Sequence, residues 1–442
     1  MSRLLLVGIG RRSRQLLLSG ISSLSIILSP SLVKADDFTG ILSQALDNSD
    51  ALSAFEERER GAEAGVDEAR AAFLPNLAAR FSYGHRSQRA ESGGLSSQSS
   101  AKNYSYGVTA SIPLFRGGQH VHGLKSAKFS AKAAKLERFD KEQEISLEAV
   151  DAYLSVVRDR SISRLRSENL RILDGIRNGQ EVRFRLGEGT RTDIALARVQ
   201  VELTRAELSR ARGQLHTSEL TYERITGTSA MHLAAPVALH HLLPKTAAEV
   251  RDRAQSQNPK IKIAMALSDA ARHAAKAKFG EALPSVDLTA SYDWEHNLIS
   301  GSDREENGYI GVSVSIPLFA PQTYAGIRKS RALSRQRDYE ARDASIGVLY
   351  AADIAWGDYL TSKERLAALQ SRKKAAQDAE YGTRREYDAG TKDVSDLLDA
   401  RERVVRADID LATAQYDRHY AAYVLLATIG ELGPQDVAYL DE

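Results

Sequence analysis

The sequence of 442 residues contains no cysteine, and this absence removes several classes of protein at once. Without cysteine there is no disulfide framework, no cysteine-ligated metal, no thiol nucleophile and no lipid attached through an N-terminal cysteine. Proline and glycine are sparse, with 10 and 30 residues, which argues against a disordered chain. Charged residues make up 27%, and beyond residue 35 no apolar run is long enough for a spanning helix.

Residues 1–35 have the three parts of a secretory signal peptide. Arginines occupy positions 11, 12 and 14, a mostly apolar run extends from Leu16 to Leu28, and Val33–Ala35 offers a cleavage site. A short membrane anchor is the alternative, but the apolar run is shorter than a membrane span. Export through the general secretory route and through the twin-arginine route both stay open. Removing this segment takes away five positive charges and no negative ones, which turns the net charge of +2 into −3. Nucleic acid is therefore not an expected partner.

Several short motifs occur twice, in the same order and at nearly constant spacing. The pairs are Leu74–Pro75 with Leu283–Pro284, Ser111–Phe115 with Ser315–Phe319, Phe184–Gly187 with Tyr387–Gly390, and Thr192–Asp193 with Ser395–Asp396. Matching motifs at a fixed offset indicate an internal duplication of roughly 200 residues. Each copy shows the same order of predicted elements: helix, strand, loop, strand, a very long helix, a glycine turn and another long helix.

Two segments in each copy alternate between apolar and polar residues, as strands do. They are Leu77–Tyr83, Tyr104–Ile112, Val286–Trp294 and Ile310–Ile316, and a Ser/Gly-rich loop, Glu91–Asn103, is predicted between the first two. Strands of about 9–11 residues with aromatic ends are typical of membrane barrels. A soluble sandwich is the alternative, but it would need more strands. Four strands cannot close a barrel, and lipid tolerates no open strand edge. If these strands lie in a membrane, several chains must therefore combine them, and three chains would give a barrel of 12 strands.

The predicted helices are unusually long. No proline interrupts the stretch from Gln119 to Leu186, which corresponds to roughly 100 Å of helix. After each glycine turn, large and small residues recur every seven positions, as in a coiled-coil seam. The first seam consists of Ile194, Val201, Leu208, Leu215 and Tyr222 with Ala197, Thr204, Ala211, Ser218 and Ile225. The second consists of Leu397, Val404, Leu411, Arg418 and Leu425 with Ala400, Ala407, Ala414, Ala421 and Thr428, and Arg418 interrupts its apolar pattern.

These patterns divide the chain into consecutive segments. We predict a signal peptide at 1–35, tunnel helices at 36–73, a β-hairpin at 74–115, long tunnel helices at 116–226, a connecting equatorial segment at 227–245, a tunnel helix at 246–282, a second β-hairpin at 283–319, long tunnel helices at 320–432 and a tail at 433–442.

Over residues 38–432 the chain resembles the TolC family of outer-membrane channel-tunnels. The resemblance lies in the paired Ser-Ile-Pro-Leu-Phe motifs, Phe184–Asp193 and Tyr387–Ala400. It implies an α+β membrane protein that forms a homotrimer. Its 12-stranded β-barrel would lie in outer-membrane lipid and continue as a helical coiled-coil barrel through the periplasm. It also implies a periplasmic adaptor (membrane fusion) protein and an inner-membrane ABC or proton-driven transporter as partners. The Gly-Glu-Gly-Thr-Arg-Thr-Asp stretch and Tyr416–Leu432 look more like members that serve type I protein secretion.

Two acids after the second glycine turn, Asp396 and Asp399, are three residues apart and so share one helix face. Three chains would bring six carboxylates around one axis, and the resemblance places this pair at the entrance constriction. A carboxylate ring favours cations. We therefore expect multivalent cations to bind there and block the pore. A solvated helix face with two surface acids is the alternative.

The resemblance also assigns roles to residues around both turns. Asp193, Tyr387 and Lys392 match a latch that ties neighbouring helices together and keeps the entrance shut. The family often has Arg where this chain has Lys392, and Lys offers a point charge instead of a bidentate fork, which predicts a weaker latch. The positions that match adaptor docking are Leu186, Gly187, Glu188, Ala389, Gly390 and Thr391.

No catalytic, cofactor-binding or metal site is predicted. The chain lacks a phosphate loop, a Gly-x-Ser-x-Gly motif and a dinucleotide fingerprint. Two residues apart on a helix, His120 and His122 do not face each other, and no acid joins them or His240–His241. The predicted function is a passive exit duct of a tripartite export system, for protein secretion, multidrug efflux or both. A soluble periplasmic coiled-coil scaffold and a stand-alone porin are the alternatives.

Overall fold

The structure is a computed structural model that describes residues 38–92, 95–231, 233, 239, 242–297 and 304–432. The signal peptide at 1–35, the tail at 433–442, His240–His241 and part of the connecting segment lie outside these residues. The elements in chain order are α1 (Phe38–Asp47), α2 (Asp50–Ala71), β1 (Asn76–Ser92), β2 (Leu95–Arg116), α3 (Gln119–Arg185), α4 (Arg191–Thr226), α5 (Ala247–Gln257), α6 (Pro259–Gly280), β3 (Ser285–Asn297), β4 (Glu305–Ser315), α7 (Pro321–Asp388) and α8 (Val394–Ile429).

The two copies have matching elements in the same order, as an internal duplication predicts. Each has a short helix, a helix of 22 residues, a hairpin, a helix of 67 or 68 residues and a helix of 36 residues. The single helix expected over 246–282 is instead two, α5 and α6. The break follows from local chemistry, because Asn258 caps the second helix and Pro259 occupies its first turn. The helical segment of the first copy is interrupted at the matching place, between α1 and α2, where Ser49 caps α2.

The four strands form one antiparallel sheet in the order β1-β2-β3-β4. β2 pairs with β3, which joins the hairpins of the two copies, and Ile112 lies opposite Leu288. The predicted loop at Glu91–Asn103 is wrong, because pairing in the first hairpin continues to Ser92 opposite Leu95. Backbone pairing does not need apolar side chains, so β1 and β2 reach 17 and 22 residues and exceed the predicted strand length.

One face of this sheet is apolar and exposed. Residues directly opposite in antiparallel strands lie on the same face, and the register places the apolar residues of all four strands together. Its exposed members include Leu77, Phe81, Tyr83, Tyr106, Val108, Tyr292, Ile310, Val312 and Val314. The opposite face carries polar pairs, such as Ser82 with Ser105 at 2.7 Å between hydroxyl oxygens. In the described chain β1 and β4 each pair on one side only.

The helices pack along their predicted seams. In α4 the buried residues include Ala197, Val201, Thr204, Leu208 and Tyr222, and in α8 they include Leu397, Ala400, Val404, Ala407 and Ala414. Burial therefore confirms the heptad. α3 packs against α2, α4, α6 and α8, and α7 packs against α5, α6 and α8. None of the helices in the described chain combines the length and the apolar character needed to cross a bilayer.

Candidate functional site

Both long-helix pairs reverse at glycine turns of the same backbone geometry. Gly187 has φ +81° and Gly390 has φ +77°, in the left-handed region that glycine adopts without strain. The N–H of Glu188 donates to the carbonyl of Arg183 at 2.9 Å, and the N–H of Thr391 donates to the carbonyl of Glu386 at 3.0 Å. These bonds satisfy carbonyls that would otherwise be left free at the helix ends. α3 and α7 thus end alike, roughly 100 Å from the sheet at 1.5 Å per residue.

In the first turn Asp193 is committed to capping α4. Thr190 is the N-cap, and its hydroxyl oxygen accepts from the N–H of Asp193 at 3.1 Å. The Asp193 carboxylate accepts from the N–H and from the hydroxyl of Thr190, both at 2.8 Å. This is a reciprocal capping box. Within the described chain, the carboxylate of Asp193 therefore makes its bonds inside its own turn.

In the second turn a different residue does the capping. Asp393 is the N-cap of α8, and its carboxylate accepts from the N–H of Asp396 at 3.1 Å and from the hydroxyl of Ser395 at 2.6 Å. These bonds, with the Ser395 hydroxyl first, hold the pKa of Asp393 below its usual range. Lys392 forms an ion pair with Glu386 at 2.9 Å, and this contact raises the pKa of Lys392. The carboxylate of Asp396 is left outside the cap.

Asp396 and Asp399 both lie on the exposed face of α8, whereas Leu397 and Leu398 between them and Ala400 after them are buried. Leu397 is 4% and Leu398 7% exposed, so packing fixes the rotation of the helix and directs the two acids outward. In the part of the chain that the structure describes, no three His, Asp or Glu side chains are grouped to hold a metal ion.

Tyr387 ties α7 to α3 within one chain. Its side chain is 8% exposed, and its hydroxyl is hydrogen bonded to the side-chain amide of Gln180. The guanidinium carbon of Arg183 lies 4.4 Å from the centroid of the Tyr387 ring, and Arg183 also approaches Asp388 at 3.9 Å. A small core that includes Leu173 packs around the tyrosine. These contacts hold the two turns beside each other at one end of the molecule.

The three predicted latch residues do not meet within one chain. Asp193 bonds to Thr190, Lys392 pairs with Glu386, and only Tyr387 connects two long helices. The six predicted docking positions, Leu186, Gly187, Glu188, Ala389, Gly390 and Thr391, are all exposed at the two tips.

Sequence reasoning missed three residues of this site. The Thr190–Asp193 pair matches the spacing of a capping box and was therefore available as a signal. Asp393 stands three residues before Asp396, as an N-cap does, and was available in the same way. Gln180 carried no signal, because its partner Tyr387 is 207 residues away in sequence.

A sheet with one apolar face, attached to helices about 100 Å long that turn back at exposed tips, has the features of an outer-membrane channel with a helical extension. The family described as outer membrane efflux protein matches residues 41–228 and 250–431. The chain belongs to this family, which consists of outer-membrane channel proteins rather than enzymes. Its location is accordingly the outer membrane, which favours the channel over the soluble scaffold.

Comparisons with individual proteins agree with this assignment. The outer membrane efflux protein BepC of Brucella suis is 28% identical, over 94% of this chain and 91% of its own length. The alkaline protease secretion protein AprF of Pseudomonas aeruginosa is 25% identical, over 79% and 75%. The solved structure of VceC from Vibrio cholerae superimposes with a TM-score of 0.76 at 16% identity and covers 89% of this chain and 96% of VceC. At that identity the structural likeness concerns the fold.

Proposed function

We propose that three copies of this chain form the passive exit duct of a tripartite export system. The observation that carries the proposal is the four-stranded sheet, which has an exposed apolar face and, among the described residues, two edges that pair with no further strand. In hydrocarbon an unpaired strand edge costs several kcal/mol for each exposed backbone group, so only a closed barrel is stable there. Three such sheets joined edge to edge would supply twelve strands, with the apolar face toward lipid and the polar face toward the lumen.

The helical part of the chain also presents two exposed apolar stripes that suit lateral packing. On α4, Leu196, Val199 and Leu203 are spaced as one side of a helix and are 42%, 66% and 51% exposed. On α7, Ile346 and Tyr350 are each 68% exposed. α4 packs against α3 and α8, and α7 packs against α5, α6 and α8. At 1.5 Å per residue the α4 stripe lies roughly 15 Å from the glycine turns and the α7 pair roughly 60 Å, so copies arranged in a ring would use them as lateral contacts at two different heights. This arrangement would continue the barrel as a helical tunnel.

The acids at the tips suit a gate. In a trimer Asp396 and Asp399 from each chain would surround one axis, and their mutual repulsion would be relieved by multivalent cations. We propose that this ring is the entrance constriction and that such cations block it. Tyr387 would keep α7 against α3, while Asp193 and Lys392 would exchange their present partners for contacts with a neighbouring chain in the shut state.

Single-channel conductance of the purified protein in a planar bilayer tests the duct. We expect a small, cation-selective conductance that divalent ions block. Asp396→Asn with Asp399→Asn, which removes charge and keeps side-chain size, should abolish the block, whereas Asp378→Asn elsewhere on the exposed surface of α7 should leave it intact. No insertion would overturn the proposal. A large conductance that no divalent ion blocks would favour a stand-alone porin.

The latch has its own test, because Lys392 and Glu386 form an ion pair inside one turn. Lys392→Gln and Glu386→Gln each remove this pair. If Lys392 also contacts a neighbouring chain in the shut state, Lys392→Gln should raise the conductance several-fold and Glu386→Gln should not. Equal effects of the two variants would reduce Lys392 to a local role and contradict the latch.

The exposed tips are the proposed docking surface for a periplasmic adaptor, which would connect the duct to an inner-membrane transporter. The cysteine-free chain permits a direct test, since any introduced cysteine is unique. Glu188→Cys and Thr391→Cys should each crosslink to the adaptor in cells, while Asp378→Cys, farther along α7, should not. Crosslinking at Asp378 alone would place the adaptor elsewhere.

The names of the relatives suggest which class of cargo the duct exports. BepC is named for efflux and AprF for secretion of an alkaline protease. We propose that this chain exports small molecules, protein or both. Deletion of the chain, followed by growth on toxic compounds and by analysis of secreted protein, distinguishes these outcomes.

A further inference from the structure

A pair of histidines faces each other between two helices near the sheet. His122 lies in the first turn of α3 and His273 lies on α6, and their Nδ1 atoms are 3.1 Å apart. The ring centroids are separated by 5.3 Å. Spacing along the sequence offers only His120 as a neighbour of His122, and two residues apart on a helix these side chains do not face each other. The true partner is 151 residues away.

Two imidazole nitrogens at this distance have two stable arrangements. In one, a hydrogen on one Nδ1 is shared with the lone pair of the other. In the other, both nitrogens are unprotonated and bind one metal ion. For tetrahedral Zn²⁺ with Zn–N bonds of about 2.0–2.1 Å, the two nitrogens would lie roughly 3.3 Å apart. The observed 3.1 Å needs only a small adjustment to reach that spacing.

The surroundings hold both rings in place. The ring of Phe129, two turns after His122 on α3, stacks on His273 with a centroid distance of 5.6 Å and an angle of 9°. The hydroxyl of Ser126 donates to the carbonyl of Ala270 at 2.9 Å, which fixes α3 against α6 one turn farther along. Such supporting contacts reduce the reorganisation that a bound metal would require.

The charges around the pair act in both directions. Burial, followed by Lys276, lowers the pKa of His122, and burial and the neighbouring histidine lower that of His273. Lowered pKa values keep the imidazoles neutral, which is the form that binds metals. Lys276 and Lys125 oppose a cation by repulsion. Asp269, one turn before His273, favours a cation but is paired with Arg272 at 3.0 Å.

We propose that His122 and His273 form a binding site for a late transition-metal ion such as Zn²⁺, which bridges α3 and α6 where these helices meet the sheet. Water would complete the coordination, because the described residues offer no third protein ligand in this group. The bridge would lie near the close approach of Gly117 and Gly280, where a Cβ on Gly117 would come within 2.5 Å of the Gly280 carbonyl oxygen. It would brace the join between sheet and tunnel, independently of the function proposed above.

The test is Zn²⁺ titration by calorimetry of the full, untagged protein in detergent. Asp396→Asn with Asp399→Asn serves as the background, so that the acids at the mouth do not contribute. We expect one site per chain, and His122→Gln or His273→Gln should each weaken binding by more than about tenfold, since half of the protein ligands are lost. The matched control, His120→Gln, changes a histidine on the same turn and should bind as the background does.

Two further readouts separate a metal site from a simple hydrogen bond. Lys276→Gln removes a nearby positive charge and should tighten Zn²⁺ binding several-fold while the histidines are intact. Zn²⁺ should also slow amide hydrogen exchange at the start of α3 and near the end of α6, and His273→Gln should abolish this protection. Equal Zn²⁺ affinity of the background protein and the two histidine variants would overturn the proposal, as would protection that survives His273→Gln.

Discussion

The first and second glycine turns have nearly the same backbone but use their acids differently. In the first, Asp193 at the third helical position accepts two hydrogen bonds from Thr190. In the second, Asp396 occupies the equivalent position, and only its backbone N–H takes part in the cap. One carboxylate is thus committed to its own helix, and the other projects from α8 as an exposed charge.

The difference arises from the identity of the N-cap residue. The hydroxyl of Thr190 both donates and accepts, so it can bind an acid three residues later. An ionised Asp393 only accepts, and it carries the same charge as Asp396. A threonine cap therefore captures the following acid, whereas an aspartate cap repels it. The comparison teaches that a duplicated turn can acquire a free acid through a change at a neighbouring position.

The largest expected effect concerns what the turns share. Gly187→Val and Gly390→Val each force a β-branched residue to a positive φ, at a cost of about 2 kcal/mol or more in local stability. Amide hydrogen exchange at the substituted tip should speed up to the same extent in the two variants. A much smaller effect at one turn would show that the two backbones are not equivalent.

The next effect concerns how each turn is held. Tyr387→Phe leaves the buried Gln180 amide without its partner and should cost about 1–3 kcal/mol. The reverse change in the first copy, Phe184→Tyr, should be nearly neutral because Phe184 is 38% exposed. Urea dependence of hydrogen exchange at the ends of α3 and α7 measures both. A penalty for Phe184→Tyr of similar size would mean that the first turn is also packed against a partner.

The caps can be exchanged directly. Thr190→Ala should cost about 1 kcal/mol, since it removes the capping box. Asp393→Thr should leave stability nearly unchanged, but it should draw Asp396 into a capping box and weaken the divalent-ion block several-fold. Hydrogen exchange measures the first effect and conductance the second. An unchanged block in Asp393→Thr would show that Asp396 contributes to the ring regardless of the cap.

The smallest effect is a dependence on pH. The pKa of Asp393 is lowered in the folded protein by the hydroxyl of Ser395 and the N–H of Asp396. Its contribution to stability is therefore present above the unfolded value of about 3.9 and is lost as the pH falls through the lower folded value. Exchange in the first turn of α8, corrected for its intrinsic rate, should increase below about pH 4. Asp393→Asn keeps an acceptor without the charge, so its pH dependence should be weaker.

Much of the fold was predictable because duplication and heptads leave local traces. The seam residues Val201 and Val404, at the same offset as the two turns, identify paired helices without any knowledge of contacts. The break between α5 and α6 was also present in the sequence, as Asn258 followed by Pro259. It was missed because helical composition on both sides concealed it.

Contacts between distant segments were not predictable. Pairing of Gln180 with Tyr387, or of His122 with His273, depends on the rotation of long helices about each other. Sequence periodicity gives the apolar face of a helix, but it does not state which polar residue on one helix meets which on another. The strands extend beyond their apolar stretch for a related reason, because backbone hydrogen bonds do not depend on side-chain type.

The pairing of β2 with β3 has a consequence for the order of folding. The hairpins β1–β2 and β3–β4 and the helical pair α3–α4 join neighbours in the chain, and such local contacts form quickly. The β2–β3 ladder joins Ile112 to Leu288, so most of the first copy and part of the second must be in place before it closes. Each newly exported chain should therefore pass through a stage with two separate hairpins and four unpaired strand edges. That stage is the one most exposed to misassembly and to periplasmic proteases.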